Sequence, residues 1–357
     1  MKKLLFVALF AVSSVVHAAG ITITTLPATP LIEPTKHGQA LNFDLLIDNG
    51  TSAPIELTEV VMSVLDAKGN VVHQRRLWSN GDSISTIPNR KAEAGEKLVV
   101  FNPFPELDPE LALSRLRYDL TFDDATVASV TVAPKVYKTK TNLTLPLHAR
   151  VLVHDGHDFY SHHRRLDITG GMTTALGITS NPFRYAYDFI VVDEKGEMVH
   201  GSGEKNEDYL SFGTPVLTTG DGVVVAAENG RADNTKTVRV PMSKEEFLKN
   251  PMISSGNYVI LDHGNGEFSL FAHMKHGTVT VKAGDRVKQG QTLGVIGWSG
   301  DAIFPHLHYQ LQSSAGFTEG LPSAFRDVKR LVGASWAPVP SGHVDTGDVV
   351  RSTRPAR

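Results

Sequence analysis

Two histidines separated by a single leucine are the residues of this chain best suited to chemistry. His306 and His308 lie in the run PHLHYQL at 305–311, whose apolar and aromatic content favours a strand. Because side chains alternate between the two faces of a strand, these imidazoles should point the same way, about 7 Å apart. A third histidine, His273, lies in the run FAHM at 271–274. One imidazole could bind a metal ion while its neighbours act on whatever the metal holds.

The absence of cysteine restricts the ligands that a transition metal could find in this chain. A zinc site must use imidazole and carboxylate, and that set with an open position for water is typical of catalytic zinc. Eleven of the fifteen histidines lie between His148 and His308, which places the expected chemistry in the C-terminal part. No disulfide can support either part of the fold.

The pattern of apolar residues predicts a chain that is mostly β. At 357 residues it is long enough for two domains. From 20 to 137, alternating runs such as LNFDLL at 41–46 are separated by turn signals such as DAKGN at 66–70. Short strands at this spacing indicate an N-terminal immunoglobulin-like β-sandwich.

Beyond 137 the sequence predicts a linker, a second strand-rich domain and a tail. The linker is placed at 138–147, the domain at 148–335, and a disordered tail rich in Pro, Ser, Gly and Arg at 336–357. One short helix is expected near 243–248, because Ser243 and Glu246 can form a capping box.

Residues 1–18 have the composition of a secretory signal peptide. Lys2 and Lys3 precede an apolar run at 4–16, which is short for a membrane span, and VHA at 16–18 resembles a cleavage site. We therefore expect cleavage after Ala18 and a periplasmic or secreted protein without a transmembrane anchor. The net charge of −3 and the lack of a basic run argue against a nucleic-acid partner.

Segments of the second domain, taken in order, resemble the lysostaphin/LytM-type zinc endopeptidases, which cleave peptide crosslinks of bacterial peptidoglycan. The resemblance extends from Arg184 to Leu311 and implies a LytM-type antiparallel β-sheet peptidase domain with one Zn²⁺. The segments that carry it are YAYDF (185–189), FGTPV (212–216), GDGVV (220–224), GNYVILDHGNG (256–266), FAHM (271–274), KAGDRVKQGQ (282–291), GVIG (294–297) and PHLHY (305–309).

This resemblance assigns roles to four residues. Asp188 and His308 would be zinc ligands, and His273 and His306 would be catalytic residues beside a metal-bound water that attacks the peptide bond. The implied substrate is peptidoglycan or another cell-wall peptide. Zinc can lower the pKa of bound water to about 7, and nearby imidazoles can transfer its proton.

The chain departs from the family at the first zinc ligand. That ligand is normally a histidine four residues before the aspartate, a position occupied here by Arg184, whose guanidinium cannot bind zinc. His163, in SHHRRLD at 161–167, is a candidate replacement if neighbouring strands bring it toward Asp188; otherwise this segment is a solvated polar loop. His200, in an insertion at 193–211, is a weaker candidate.

Two functions remain open at this point. The chain could be an active zinc metalloendopeptidase, or a noncatalytic LytM-like module that regulates cell-wall amidases through a protein partner or binds cell wall. Arg184 favours the second reading, whereas the retained histidines and Asp188 favour the first. A biotinyl or lipoyl carrier domain, suggested by GDRVKQGQTLG at 284–294, would have no use for His306 and His308.

Overall fold

The computed structural model describes residues 14–16 and 20–353, and these residues are mostly β, as predicted. The α-helices of this part are two short ones, α1 (Gly171–Ala175) and α2 (Lys244–Lys249). Neither has the length or the apolar character that crossing a bilayer requires. The chain divides into two compact units, one formed by residues up to 33 with 37–136 and the other by 34–36 with residues from 137 onward.

The first unit is built from short strands that form three sheets. In chain order they are β1 (Ser14–Val16), β2 (Ile21–Leu26), β3 (Leu31–Pro34), β4 (Gln39–Leu41), β5 (Asp44–Asn49), β6 (Ile55–Leu65), β7 (Val71–Trp78), β8 (Lys91–Ala92), β9 (Lys97–Phe101), β10 (Glu106–Leu107), β11 (Leu116–Phe122), β12 (Val127–Val132) and β13 (Lys135–Val136).

Strand order in the largest of these sheets is β1-β12-β11-β6-β7, and the others are β10-β4-β3-β13 and β2-β5-β9. The alternation along β11 shows why these residues form a sheet, because Leu116, Tyr118, Leu120 and Phe122 are buried while the residues between them are more exposed. The hairpin expected around 66–70 joins β6 and β7. The immunoglobulin-like topology stays a prediction. The proposed leader lies outside the described residues apart from β1, which pairs with β12.

The second unit carries the remaining strands. They are β14 (Leu143–Thr144), β15 (Val151–Asp155), β16 (Tyr187–Val191), β17 (Pro215–Leu217), β18 (Gly222–Glu228), β19 (Asn257–Asp262), β20 (Phe268–Met274), β21 (Arg286–Val287), β22 (Thr292–Val295), β23 (Leu307–Gln312), β24 (Gly320–Leu321), β25 (Phe325–Arg326), β26 (Val328–Val332), β27 (Ser335–Pro338) and β28 (Val349–Ser352).

Its main sheet has the order β21-β18-β19-β20-β23-β16-β15-β28-β26-β27. Strand β23 lies near the middle and every residue in it is buried, so both of its faces are covered. Tyr309 and Leu311 belong to the apolar core. His308 and Gln310 alternate with them and therefore occupy the opposite face. Helix α2 begins at the predicted capping box, in which Ser243 and Glu246 bond each other's backbone N–H groups.

The structure corrects two of the predicted boundaries. The segment expected to be a linker, 138–147, contributes the alternating residues Leu143, Leu145 and Leu147 to the core of the second unit. The segment expected to be a disordered tail, 336–357, is folded as far as residue 353, because β28 pairs with both β15 and β26 and buries Val350. Its polar composition obscured the few apolar residues that fix it in place.

Candidate metal centre and active-site cleft

Asp188 lies at the centre of the candidate site because of its position on β16. This strand pairs with β23 on one side and β15 on the other, and the register sets Asp188 opposite both His308 and Asp155. Residues directly opposite in an antiparallel pair project from the same face. Three side chains able to bind a metal therefore converge in a row across the sheet.

The three predicted metal ligands are brought together around one oxygen atom. Asp188 Oδ1 lies 3.0 Å from His308 Nδ1 and 3.5 Å from His163 Nε2. Ligands bonded to zinc at about 2.0–2.1 Å in a tetrahedron are about 3.3 Å apart, so these two separations are compatible with a shared metal ion. The three side chains are nearly or fully buried.

His163 reaches this site from the long connection between β15 and β16. It opens a short 3-10 turn, His163–Arg165, and its ring centroid lies 4.9 Å from that of His308. The neighbouring His162 has a largely exposed side chain, 71%, compared with 4% for His163. The HHRR segment is therefore not a uniformly solvated loop, since alternate members of the histidine pair face inward and outward.

Hydrogen bonds orient the two imidazole ligands. His308 Nε2 lies 2.9 Å from Gln310 Oε1, an acceptor, so Nε2 carries a proton and Nδ1 is the nitrogen that faces Asp188. His163 Nδ1 lies 3.3 Å from both the Gly156 carbonyl and Asp155 Oδ2, which leaves Nε2 unprotonated. Such outer partners commonly fix the tautomer of a metal-bound histidine.

The two predicted catalytic histidines also lie at the site. His306 Nε2 is 3.4 Å from Asp188 Oδ1, and its Nδ1 donates to the Phe304 carbonyl at 2.8 Å. His273 Nδ1 donates to the Ser299 carbonyl at 2.9 Å, and its ring centroid lies 4.8 Å from that of His306. His273 has a left-handed backbone conformation, φ 62°, which a surrounding fold must hold in place.

Electrostatics favour an ionised Asp188. Burial alone raises the pKa of this carboxyl, but His306 and His163 beside it, with hydrogen bonds from His306 and His308, bring the pKa well below its usual value. For His306, burial lowers the pKa, and the adjacent Asp188 carboxylate more than offsets this, so the pKa is raised.

The other two imidazoles are held neutral. Burial lowers the pKa of His163 to about 3, with Asp188 opposing the change. Burial, followed by the nearby His306 and His308, lowers the pKa of His273 well below its usual value. At neutral pH both rings therefore offer lone pairs, as metal binding and proton acceptance require.

A second combination of ligands overlaps the first. One ligand atom from each of Asp155, His162, His163 and Asp188 lies within 4.8 Å of the others. His162 Nδ1 is 2.5 Å from Asp155 Oδ2, and this hydrogen bond is the main cause of a raised pKa for His162. His162 and Asp155 therefore already pair with each other.

Arg184 and His200 lie apart from the metal position. Arg184 is fully buried and pairs with Glu319, through Nε to Oε1 and Nη2 to Oε2. His200 is exposed and lies 3.2 Å from Asp193. Neither contributes a ligand atom, so of the replacements considered from the sequence only His163 faces Asp188.

The cluster of histidines around Asp188 opens into a cleft of about 580 Å³. The connection between β15 and β16 contributes apolar side chains to it, including Met172, Leu176 and Ile178, and elsewhere Phe247, Ile303 and Phe304 line it. Its charged lining residues in the described structure are acidic, namely Asp155, Asp188 and Asp301. The cleft therefore offers a largely apolar surface interrupted by carboxylates.

Sequence reasoning missed Asp155 and Gln310. Gln310 could have been found, because it lies two residues after His308 and so shares its face of the strand. Asp155 left no such signal, since its place depends on the register between β15 and β16.

Comparison with known proteins finds one family model that matches part of the second unit. Residues 208–318 match the model of Peptidase family M23. The peptidoglycan DD-endopeptidases ShyA and ShyC of Vibrio cholerae serotype O1 are both 35% identical to this chain, over 102 and 107 residues. Those regions are 29% and 30% of this chain, and 18% and 19% of the two relatives, so the chain spans less than a fifth of their length.

The chain is also similar to a cell division protein and to a solved peptidase structure. The cell division protein DipM of Caulobacter vibrioides is 31% identical over 118 residues, which is 32% of this chain and 15% of DipM. The catalytic domain of the antimicrobial peptidase lysostaphin from Staphylococcus simulans is 24% identical over 35% of this chain and 82% of that domain, with a TM-score of 0.23. The family match contains His273, His306 and His308 but begins after His163 and Asp188.

Proposed function

We propose that this chain, whose residues 208–318 match the model of Peptidase family M23, is an exported zinc endopeptidase that hydrolyses peptide crosslinks of bacterial peptidoglycan. His163, Asp188 and His308 are the proposed zinc ligands. His273 and His306 are the proposed catalytic residues. The DD-endopeptidase relatives support the class of substrate, and the leader at 1–18 supports export.

One observation carries the proposal. Three imidazole nitrogens, from His163, His306 and His308, lie within 3.5 Å of Oδ1 of the buried Asp188 carboxylate, whose ion pairs in the described structure are with histidines. A bound cation would take the place of the protons that these short contacts otherwise share. A donor set of two imidazoles and one carboxylate with an open position fits catalytic zinc.

The chain's own residues supply the proton transfers. Zinc at this site would polarise a scissile carbonyl and acidify a water molecule. His306, whose Nε2 faces the site and whose Nδ1 is fixed by Phe304, can accept a proton there. The proton accepted by His306 can then pass to the leaving amine, and His273, fixed by Ser299, can donate a hydrogen bond to the developing oxyanion if it takes up a proton of its own.

A noncatalytic module is the second candidate, and Arg184 is the observation that favours it. This residue replaces the usual first ligand, and its ion pair with Glu319 removes it from the site. Under this candidate the same cleft would bind cell wall or a protein partner without cleaving it.

The deciding experiment combines metal content with hydrolysis. Purified wild-type protein should contain one zinc per chain and release soluble peptides from purified peptidoglycan. Asp188→Ala and His308→Ala should lose both properties. A wild type that binds no zinc contradicts the endopeptidase, and a wild type that binds zinc without releasing peptides supports the noncatalytic module.

A further inference from the structure

We propose that the turn formed by residues 180–184 is a positioning frame that fixes both imidazole ligands, with Asn181 and Gln310 as its positioning residues. The proposal rests on the zinc site proposed above. It extends that site to residues that bind no metal, and it gives Arg184 a purpose in this chain.

The link to His308 runs through Gln310. Its Oε1 accepts from His308 Nε2 at 2.9 Å, and its Nε2 donates to the Pro182 carbonyl at 3.1 Å. Gln310 is fully buried, so water cannot replace these partners. The side-chain amide thus joins the ring of one ligand to the backbone of the turn, and this second bond fixes which end of the amide faces the ring.

The link to His163 runs through Asn181. This residue is fully buried, and its Nδ2 donates to the carbonyl of His163 at 2.9 Å and to that of Arg164 at 3.3 Å. Its Oδ1 accepts from the Phe183 N–H at 2.9 Å, which closes the turn on itself. The backbone that carries the second ligand is therefore tied to the same turn as the first.

The turn is anchored to residues 319–320. Arg184 bonds both oxygens of the Glu319 carboxylate, and Ser180 bonds Oε2. The Gly320 N–H donates to the Asn181 carbonyl at 3.2 Å. A Cβ at Gly320 would lie 3.0 Å from the Pro182 carbonyl oxygen, which shows how closely the turn packs there.

Arg184, at the usual position of the first ligand, is linked through the turn to His163, the proposed replacement ligand. Arg184 pairs with Glu319, and this ion pair holds the turn that carries Asn181. The turn lies before the region that matches the family, 208–318, whereas Gln310 and Glu319 lie within or beside its end. One turn thereby sets two ligands that come from distant parts of the chain.

The test uses the full chain and two variants. Gln310→Met removes the acceptor for His308 at similar volume, and Asn181→Ala removes both bonds to the His163 segment. Zinc affinity is measured by competition with a chromophoric chelator. The tautomer of His308 is read from its ring ¹⁵N chemical shifts in the metal-free protein, at a pH where the ring is neutral.

Asn102→Ala is the matched control. Asn102 is also fully buried, and its Nδ2 also donates to two carbonyls, those of Leu41 and Phe104, but it lies in the first unit. Both test variants should bind zinc roughly 10–100-fold more weakly than wild type, the usual cost of losing an outer partner of a ligand. Gln310→Met should also lose the single Nε2–H tautomer, and Asn102→Ala should change neither property.

Unchanged zinc affinity in both test variants, with an unchanged tautomer in Gln310→Met, would overturn the positioning frame. Equal weakening in Asn102→Ala would do so as well, because the loss would then follow general destabilisation. If wild type binds no zinc, the proposed function fails, but the tautomer in the metal-free protein still decides whether Gln310 positions His308.

Discussion

At the scale of single residues, we expect substitutions of the two adjacent histidines, His162 and His163, to affect zinc binding differently. His163 faces Asp188 from a buried position, whereas His162 is exposed and pairs with Asp155. We expect His163→Ala to weaken zinc binding by more than the roughly 10–100-fold that the loss of an outer partner costs. Chelator competition measures the affinity, and peptide release from peptidoglycan measures activity, which should fall with it.

His162→Ala is the control, because it removes an imidazole one residue away without touching the metal position. It should keep most of the zinc affinity. Equal losses in the two variants would show instead that Asp155 and His162 hold the ion together with His163 and Asp188, the overlapping combination of ligands.

The buried imidazoles predict how stability depends on pH in the metal-free protein. Burial lowers the pKa of His163 to about 3 and lowers the pKa of His273. Below about pH 6.5 these two imidazoles become protonated in the unfolded chain but stay neutral in the folded protein. The free energy of unfolding therefore falls as pH falls. Each ring contributes at most about 1.4 kcal/mol per pH unit until its folded pKa is reached.

Two neighbours change this dependence in known directions. The raised pKa of His306 adds stability that is fully present below the unfolded value and is lost as pH rises through the folded one. The lowered pKa of Asp188 adds stability above its unfolded value, which is lost only in stronger acid. Between about pH 6 and 4, His163 and His273 therefore dominate.

Urea unfolding of the second unit at about pH 6 and about pH 4.5, within this range, measures the effect. The free energy of unfolding should be lower at the more acidic pH, and His163→Gln should reduce that difference by about half because one of the two rings no longer titrates. An unchanged difference in this variant would mean that His163 is not held neutral in the folded state.

At the scale of elements, the connection between β15 and β16 supplies both a ligand and part of the cleft wall. Met172 and Ile303 are apolar lining residues with exposed fractions of 43% and 67%. A carboxylate at either position would lose hydration against an apolar segment of a bound peptide, which weakens binding without altering the candidate metal centre. We expect Met172→Asp and Ile303→Asp to raise KM with little change in zinc affinity or kcat.

Val332→Asp provides the comparison for these cleft variants. Val332 is also exposed, 54%, but it lies on β26 outside the cleft lining, so KM should stay at the wild-type value. If all three variants raised KM equally, the change would follow surface charge and the cleft would not be the substrate site.

The sequence predicted those parts of the site that follow local rules. His306, which immediately precedes β23, and His308 within it both approach Asp188, and the sequence predicted this from two histidines around one leucine. His163 could only be proposed, since its approach to Asp188 depends on a long connection with no periodic pattern. Leu143, Leu145 and Leu147 alternate visibly, but the polar residues before them suggested a linker. Val350 lies in a segment whose polar composition suggested disorder, although β28 pairs with β15 there.

At the scale of the whole molecule, each unit has its own apolar core. The core of the first unit comes from residues 21–132, and that of the second from residues 143–350, with no member in common. Compact units with separate cores commonly fold alone. The candidate metal centre lies entirely in the second unit, so zinc binding should not need the first.

The hydrogen bonds of Glu267 determine at which residue a stable fragment of the second unit can begin. This carboxylate is buried and accepts from Tyr137 Oη at 2.6 Å, from the Lys140 N–H at 2.7 Å and from the Thr141 N–H at 2.8 Å. A fragment that begins at 137 keeps all three donors. A fragment that begins at 142 leaves a buried carboxylate without them, which costs about 1–3 kcal/mol or more.

We therefore expect fragment 137–357 to fold and to bind zinc with the affinity of the full chain. Fragment 142–357 should have a lower free energy of unfolding. The substitution Glu267→Gln, made in fragment 142–357, should recover part of that loss because a neutral amide is less costly to bury than an unpaired carboxylate. Urea unfolding and chelator competition on the three fragments measure both properties. Weaker zinc binding by fragment 137–357, at equal stability, would show that the first unit contributes to the site.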